Sequence, residues 1–409
     1  MSARIAGADN ALVDARSGRT TTWARLRAPQ LPAPAAFVAP SSYEALPAVA
    51  AHALTGAELL VVARGRMEQV LRAELLEAGF NVVEGDEVER SQSPRDPADG
   101  RLWLLTSGST GRPKRIGHTL SSLTTVTGDL PPRRWLCPYS PGTYAWWQVV
   151  TLGLGAPGQD LVVVDPADLE GWVPAAVEHG VTAASGTPTF WRQTLMSHGD
   201  ELARVPLEQV SLGGEPVDQA VLDQLRELFP AARVSWIYAS SEVGASIVVH
   251  DGRAGFPVEW LDREVEGRPR IRVVDGELVI SSPHHGEGLE GAVRTGDAVV
   301  VEDGRVLITG RTSADEINVG GAKVSAGVVR AVLQAHPDVV WAHVRGRKAP
   351  LVGKMVVADV VLRSGETSAP ETLTSINRWC TERLPDYGVP RRIKLLESIP
   401  AKETLKSDV

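Results

Sequence analysis

Three short runs, Leu59–Ala63 (LLVVA), residues 102–105 (LWLL) and residues 161–164 (LVVV), are apolar at every position and too short for helices. A strand that reads this way is buried on both faces, which happens in parallel sheets flanked by helices. Residues 47–55 and 67–78 have helical spacing instead, the first with its proline where an opening turn tolerates one. Strand-like and helix-like segments in alternation predict an α/β architecture.

After about Pro257 the texture changes. Residues 271–280 (IRVVDGELVI) and 298–308 (AVVVEDGRVLI) are each two apolar runs joined through Asp-Gly, the strongest short hairpin signal. They predict a small β-rich subdomain over about residues 258–310. Beyond Gly310 the chain predicts a loop, a helix near residues 325–335, strands near 339–344 and 355–362, and a helix over about 370–384. The expected organisation is a large N-terminal domain of parallel α/β sheets, residues 1–310 with the β-subdomain inside it, then a small mobile α+β C-terminal domain, residues 311–409. Residues 90–100 (RSQSPRDPADG) read as a polar loop.

Composition narrows the function classes. A net charge of -8 without a basic stripe argues against nucleic acid as the partner. No apolar run approaches the roughly eighteen residues of a membrane span, so the expectation is a cytoplasmic protein. The two cysteines, Cys137 and Cys380, are far apart and predict buried thiols, not a disulfide or a cysteine metal site.

The apolar run at 102–105 breaks into Thr106-Ser107-Gly108-Ser109-Thr110-Gly111-Arg112-Pro113-Lys114. A glycine-rich turn after a strand lets backbone N–H groups converge on an anion, and the hydroxyls add donors, so phosphate is the expected ligand. The spacing is not that of a P-loop, G-x-x-x-x-G-K-[ST]. It resembles the phosphate loop Thr-Ser-Gly-Ser-Thr-Gly-x-Pro-Lys of the adenylate-forming enzymes, which include acyl-CoA synthetases, adenylation domains of peptide synthetases and luciferases. Further segments resemble that family in order. These are Gly213-Gly214-Glu215-Pro216, Tyr238-Ala239-Ser240-Ser241-Glu242, Arg294-Thr295-Gly296-Asp297, Gly310-Arg311, residues 317–321 (INVGG), and Pro400 with Thr404-Leu405-Lys406. The resemblance covers about residues 100–406, with a weaker echo near 11–26.

The resemblance implies a function and a set of roles. A carboxylic acid is activated on ATP to an acyl-adenylate, pyrophosphate leaves, and the acyl group passes to the thiol of coenzyme A or of phosphopantetheine on an acyl- or peptidyl-carrier protein. Lys406 would neutralise charge in the transition state, with Thr106 and Glu242 as its catalytic companions and as the Mg²⁺ ligands. Thr106, Ser107, Ser109, Thr110 and Lys114 would clamp the β- and γ-phosphates, with Gly108 and Gly111 shaping their loop. Residues 213–216 would pass beside adenine, Tyr238 would stack on it within the segment Ala239, Ser240 and Ser241, and Asp297 would accept the ribose hydroxyls. Arg311 precedes a hinge left among Ser313, Ala314 and Asp315, about which the small domain swings so that Gly320 and Gly321 face a pantetheine arm. An acceptor other than a thiol, giving amide, diazo or lactone products, is the alternative, and a non-catalytic nucleotide scaffold a third reading.

The sequence departs from the family pattern at Leu405 and Ala239, where glycine is usual, at Ser241 for threonine, and at Arg115 for glycine. It is also short before Leu102, which predicts a trimmed subdomain with an incomplete sheet, covered or not by a second subunit in a homodimer. The acid pocket is expected between residues 139–148, the turn 185–188, and the surroundings of Gly213 and Ala239. Tyr144, Trp147 and Thr187 are its candidate residues, the aromatics favouring a flat acid or else serving as core. Two other motifs read as decoys. Residues 153–158 satisfy G-x-G-x-x-G but are followed by a strand, not a helix, and His284-His285 with Glu287 reads as a turn, not a zinc site.

Overall fold

The first two strands, β1 (Ala11–Asp14) and β2 (Thr20–Thr22), skip the sheet that follows them in sequence and join a later one. The structure is a computed structural model that describes residues 5–106, 114–312, 316–349, 353–363, 369–400 and 405–407. Next come β3 (Ala35–Ala39), α1 (Leu46–Thr55), β4 (Leu59–Ala63), α2 (Gln69–Glu77), β5 (Asn81–Glu84), β6 (Glu87–Glu89), β7 (Leu102–Thr106) and β8 (Lys114–His118). Their six strands form one sheet in the order β6-β5-β3-β4-β7-β8, parallel in the middle and closed at each edge by an antiparallel hairpin. The central residues Ala36, Leu60, Val62 and Leu104 are buried, as an apolar run in a covered parallel sheet must be.

A second sheet is built from α3 (Leu120–Leu123), β9 (Arg133–Cys137), α4 (Tyr144–Gly155), β10 (Gln159–Val163), α5 (Trp172–Glu178), β11 (Ala183–Gly186), α6 (Pro188–Leu202), β12 (Gln209–Gly213), α7 (Gln219–Leu228), β13 (Arg233–Ser240) and β14 (Gly244–Val249). Its order is β14-β13-β12-β11-β9-β10-β1-β2. The amino-terminal segment is pinned there by Asn10, whose side-chain amide donates to the carbonyls of Gly153 and Ala156, both at 2.7 Å. The two sheets meet closely at Gly142. A Cβ there would lie 2.0 Å from the Val61 carbonyl oxygen, and its φ of 81° is one that glycine adopts without penalty.

The β-subdomain is a five-stranded antiparallel sheet of β15 (Phe256–Pro257), β16 (Arg270–Val274), β17 (Glu277–Ser281), β18 (Val293–Glu302) and β19 (Arg305–Arg311), in the order β15-β19-β18-β17-β16. Both Asp-Gly pairs form its hairpin turns, with Asp275 and Asp303 at φ 53° and 48°. The last unit holds β20 (Glu316–Val319), β21 (Ala322–Ser325), α8 (Ala326–Gln334), β22 (Val339–Ala349), β23 (Gly353–Leu362), α9 (Ala369–Arg383) and β24 (Arg392–Leu396). It has its own core around Val329, Leu333, Val360, Ile376 and Cys380. Both cysteines are buried, and burial pushes the Cys137 thiol up to about 12 and that of Cys380 up to about 11. No helix of the described residues is long and apolar enough to cross a membrane.

Candidate active site

A cavity of about 2040 Å³ opens at the carboxyl ends of β7, β11, β12 and β13, where open α/β sheets receive ligands, and extends along β12 and β13 as far as Gln209 and Arg233. The strands deliver most of the expected residues to its wall: Thr106, Thr187, Gly213 to Pro216, Tyr238 to Glu242, Asp297, Arg311 and Lys406. Ser107, Gly108, Ser109, Thr110 and Gly111 lie outside the described residues, as do Ser313, Ala314 and Asp315. Lys114, at the start of β8, is exposed and does not line the cavity. Gly320 and Gly321 form the tip of the β20–β21 hairpin, again away from the cavity wall.

Two expectations need correction. Trp147 is not a pocket residue. Its ring is fully buried and packs edge-on against Trp146, 5.0 Å between centroids, because both tryptophans sit on the core side of α4. Tyr144, one turn earlier, does line the cavity. Residues 90–100 are more than a polar loop, since Arg95 is tied to the fully buried Glu58 and lies 5.0 Å over the Phe80 ring. Residues 153–155 end α4 and the next element is a strand, while Glu287 pairs with Arg101.

The nucleotide side of the cavity is built around Asp297. Tyr238 Oη donates to Asp297 Oδ2 at 2.5 Å, and Arg311 Nε stands 3.4 Å from Oδ1 while its Nη1 donates to the Thr295 carbonyl at 2.6 Å. Burial lifts the Asp297 carboxyl above the usual range, against the pull of Tyr238, Arg311 and Lys406. Burial also raises the Tyr238 phenol, and the neighbouring carboxylate adds to the effect.

The last described residues enter the same cavity. Leu405 is buried in the core of the large unit with φ 63°, and its carbonyl accepts a hydrogen bond from the Thr187 hydroxyl. Thr187 is also the N-cap of α6, accepting from Phe190 N at 3.0 Å ahead of a proline at the first helical position. Glu215 completes the clasp. Its Oε1 accepts from Ser407 N at 2.8 Å and from Ser407 Oγ at 3.0 Å, and its Oε2 accepts from Thr189 N at 3.1 Å. Lys406 is thereby laid against Gly214, whose φ of 82° suits glycine and where an added Cβ would lie 3.2 Å from Lys406 Cε and press on the lysine side chain. Burial lowers the Lys406 ammonium pKa, and Glu215, Asp297 and Glu242 pull it back up.

Elsewhere the small unit rests on the large one through Arg192, whose Nη1 donates to the Val340 carbonyl at 2.6 Å, and through Arg330, whose Nη2 donates to the Thr309 carbonyl at 2.7 Å. Sequence reasoning missed Thr187 as a clasp and Ser407 altogether. The Thr-Pro helix start was visible, but its second partner 218 residues away was not.

A tyrosine, a half-buried carboxylate and a seated lysine around one cavity fit a nucleotide and a second reactant. The model of the AMP-binding enzyme matches residues 34–289, and that of the AMP-binding enzyme C-terminal domain matches residues 329–406. The chain belongs to the AMP-binding enzymes. Among curated relatives of this AMP-binding enzyme are the acetyl-coenzyme A synthetase of Bacillus subtilis (strain 168), 26% identical over 79% of this chain and 64% of the relative, and the 4-chlorobenzoate–CoA ligase of an Arthrobacter species, 26% identical over 84% and 70%. The chain thus spans about two thirds of their length. Solved structures with the same fold include the anthranilate CoA ligase AuaEII in complex with anthranoyl-AMP, with a TM-score of 0.74 at 16% identity, covering 98% of this chain and 93% of that one. The amide bond synthetase McbA from Marinactinospora thermotolerans has a TM-score of 0.70 at 21% identity, covering 97% and 95%.

Proposed function

We propose that this AMP-binding enzyme joins a small carboxylic acid to ATP and then passes the acyl group to the thiol of coenzyme A. The observation that carries the reading is the placement of Lys406, laid against Gly214 on the cavity wall that also carries Asp297 and Glu242. A carboxylate oxygen of the acid attacks the α-phosphorus, the bond to pyrophosphate breaks, and the developing negative charge meets the Lys406 ammonium. In the second step the thiol sulfur bonds to the acyl carbon, its proton is lost, and AMP leaves. The names of the relatives, CoA ligases of acetate and of a chlorobenzoate, support the thiol acceptor.

The donor set fits ATP with Mg²⁺. Tyr238 offers a ring face, Asp297 a carboxylate for the ribose hydroxyls, and Gly213-Gly214 a close backbone. Glu242 and Thr106 would hold the Mg²⁺, which supplies positive charge to the phosphates. Among the described residues no group of three His, Cys, Asp or Glu forms a metal cage, which suits a cation bound through one carboxylate, phosphate oxygens and water. We place the boundary of the lid at Arg311, so that residues 311–409 swing as a unit and bring Gly320 and Gly321 to the thiol arm.

The test is acid-dependent exchange of labelled pyrophosphate into ATP over a panel of aryl, short-chain and long-chain acids, followed by mass analysis of product with and without coenzyme A. Exchange with at least one acid and an acyl-CoA product are expected. Absence of exchange across the panel would overturn the reading, and a product that forms with an amine but not with coenzyme A would move the acceptor to the amide-forming alternative.

A further inference from the structure

Three serines stand side by side across the middle of the eight-stranded sheet. Ser185 on β11 pairs in register with Ser211 on β12, and Ser211 with Ser235 on β13. All three line the cavity, two residues below the level of Gly213, or about 7 Å along the strands. Parallel strands buried on both faces ordinarily carry valine, isoleucine and leucine. The residues just before the serines, Ala184, Val210 and Val234, point to the other face and follow that rule.

The row is only partly satisfied from within the protein. Ser235 Oγ shares a 2.7 Å hydrogen bond with His250 Nδ1 and accepts from Gln209 Nε2 at 3.3 Å. Ser211 Oγ accepts from Gln209 Nε2 at 3.1 Å, and Ser185 Oγ accepts from Tyr139 Oη at 3.0 Å. Among the described residues the Ser211 hydroxyl hydrogen meets no acceptor, and the Tyr139–Ser185 pair, with one hydrogen bond between two hydroxyls, leaves one of its hydroxyl hydrogens without a partner. Tyr144 Oη on the same cavity wall is also shielded from solvent, close to the Ala245 amide but without a hydrogen bond of sound geometry. A shielded hydroxyl without a partner is unfavourable unless a ligand atom supplies one.

We infer that the acid this enzyme activates carries an oxygen acceptor roughly 6–7 Å from its carboxyl carbon, held by the serine row, and is not a plain alkyl or unsubstituted aryl acid. The spacing follows from the distance between the Gly213 level, next to the Gly214 that Lys406 lies against, and the Ser211 level. Para-hydroxybenzoate falls just short of this reach and a fully extended ω-hydroxyhexanoate just beyond it, so the two bracket it. The inference rests on the adenylate-forming reading of the site.

The experiment compares pyrophosphate exchange with matched pairs in which a methyl replaces the hydroxyl: para-hydroxybenzoate against para-methylbenzoate, and ω-hydroxyhexanoate against heptanoate. The hydroxy member of at least one pair should be preferred in kcat/KM by roughly tenfold, the size of one good hydrogen bond. Ser211→Ala and Ser185→Ala should each reduce that preference, with AMP affinity by calorimetry reporting that the variant chains are folded. Preference for the methyl member in both pairs, or a hydroxyl preference that survives both substitutions, overturns the inference and leaves adenylation standing. Absence of exchange with all four acids and with the wider panel removes the adenylation reading and this inference with it.

Discussion

Tyr238 Oη donates to Asp297 Oδ2 at 2.5 Å, and this bond between residues 59 apart opposes the burial that lifts the Asp297 pKa. Burial raises the Asp297 pKa, and Tyr238 is the first of the groups that hold it down. An Asp with a raised pKa loses its charge earlier as pH falls, so AMP affinity should decline on acidification at a higher pH than an ordinary aspartate near 3.9 would give. Tyr238→Phe keeps the ring and removes the donor, and should move the midpoint further up. Calorimetric titration of AMP against pH checks this; superposed profiles for the two proteins would refute it.

Lys406 works in the opposite sense. Its pKa is lowered by desolvation and supported chiefly by Glu215, so the ammonium is lost as pH rises through a value below the ordinary lysine one. Lys406→Ala should cost roughly a thousandfold in exchange, since an ion pair at about 4 Å is worth on the order of 4 kcal/mol at an effective dielectric of about 20. Glu215→Gln should keep the cation but pull the alkaline limb of the kcat/KM profile to lower pH. An unchanged alkaline limb in that variant would show that Glu215 does not set the charge on the lysine.

The local signals read correctly where one stretch of chain decides the outcome. Both Asp-Gly turns form hairpins, with their aspartates at positive φ, and the apolar runs at 59–63 and 102–105 become buried parallel strands. What stayed hidden depends on partners distant in sequence. The serine row is a matter of register among three strands and shows in none of them alone. Glu58 reads as an ordinary surface carboxylate until Arg95, 37 residues on, covers it. Trp147 could not be told from a pocket residue because a helix of two neighbouring tryptophans does not reveal which face meets the core.

The Glu58 cluster should matter to stability and not to chemistry. Glu58 is 0% exposed and accepts from Arg95 Nη1 at 2.9 Å, from Ala98 N at 2.6 Å and from Trp103 Nε1 at 2.6 Å. Burial opposes its ionisation, but these donors together leave its pKa lowered. A carboxylate with a lowered folded pKa stabilises above its unfolded pKa, and that contribution disappears as pH falls through the folded value. Arg95→Ala strands the buried charge and should cost about 3 kcal/mol, the lower end for a broken buried pair because Arg95 is 34% exposed. Denaturant unfolding at neutral pH measures it, with exchange activity per folded molecule expected to be unchanged.

Leu405 is the residue through which packing reaches the chemistry. It holds a left-handed conformation, φ 63°, that costs a leucine about 1–2 kcal/mol, and it buries its side chain in the core of the large unit, where Leu→Ala typically costs about 2–5 kcal/mol. The second magnitude exceeds the first, so the side chain holds the lysine segment docked in spite of the strain. Leu405→Gly loses the contact and relieves the strain, whereas Leu405→Ala loses the contact and keeps it. Adenylation should therefore rank wild type first, glycine second and alanine last, and protease cleavage within residues 400–409 should rise in the same sequence. If the glycine variant adenylates at least as fast as wild type and is cleaved no faster, burial of Leu405 does not hold Lys406 in place.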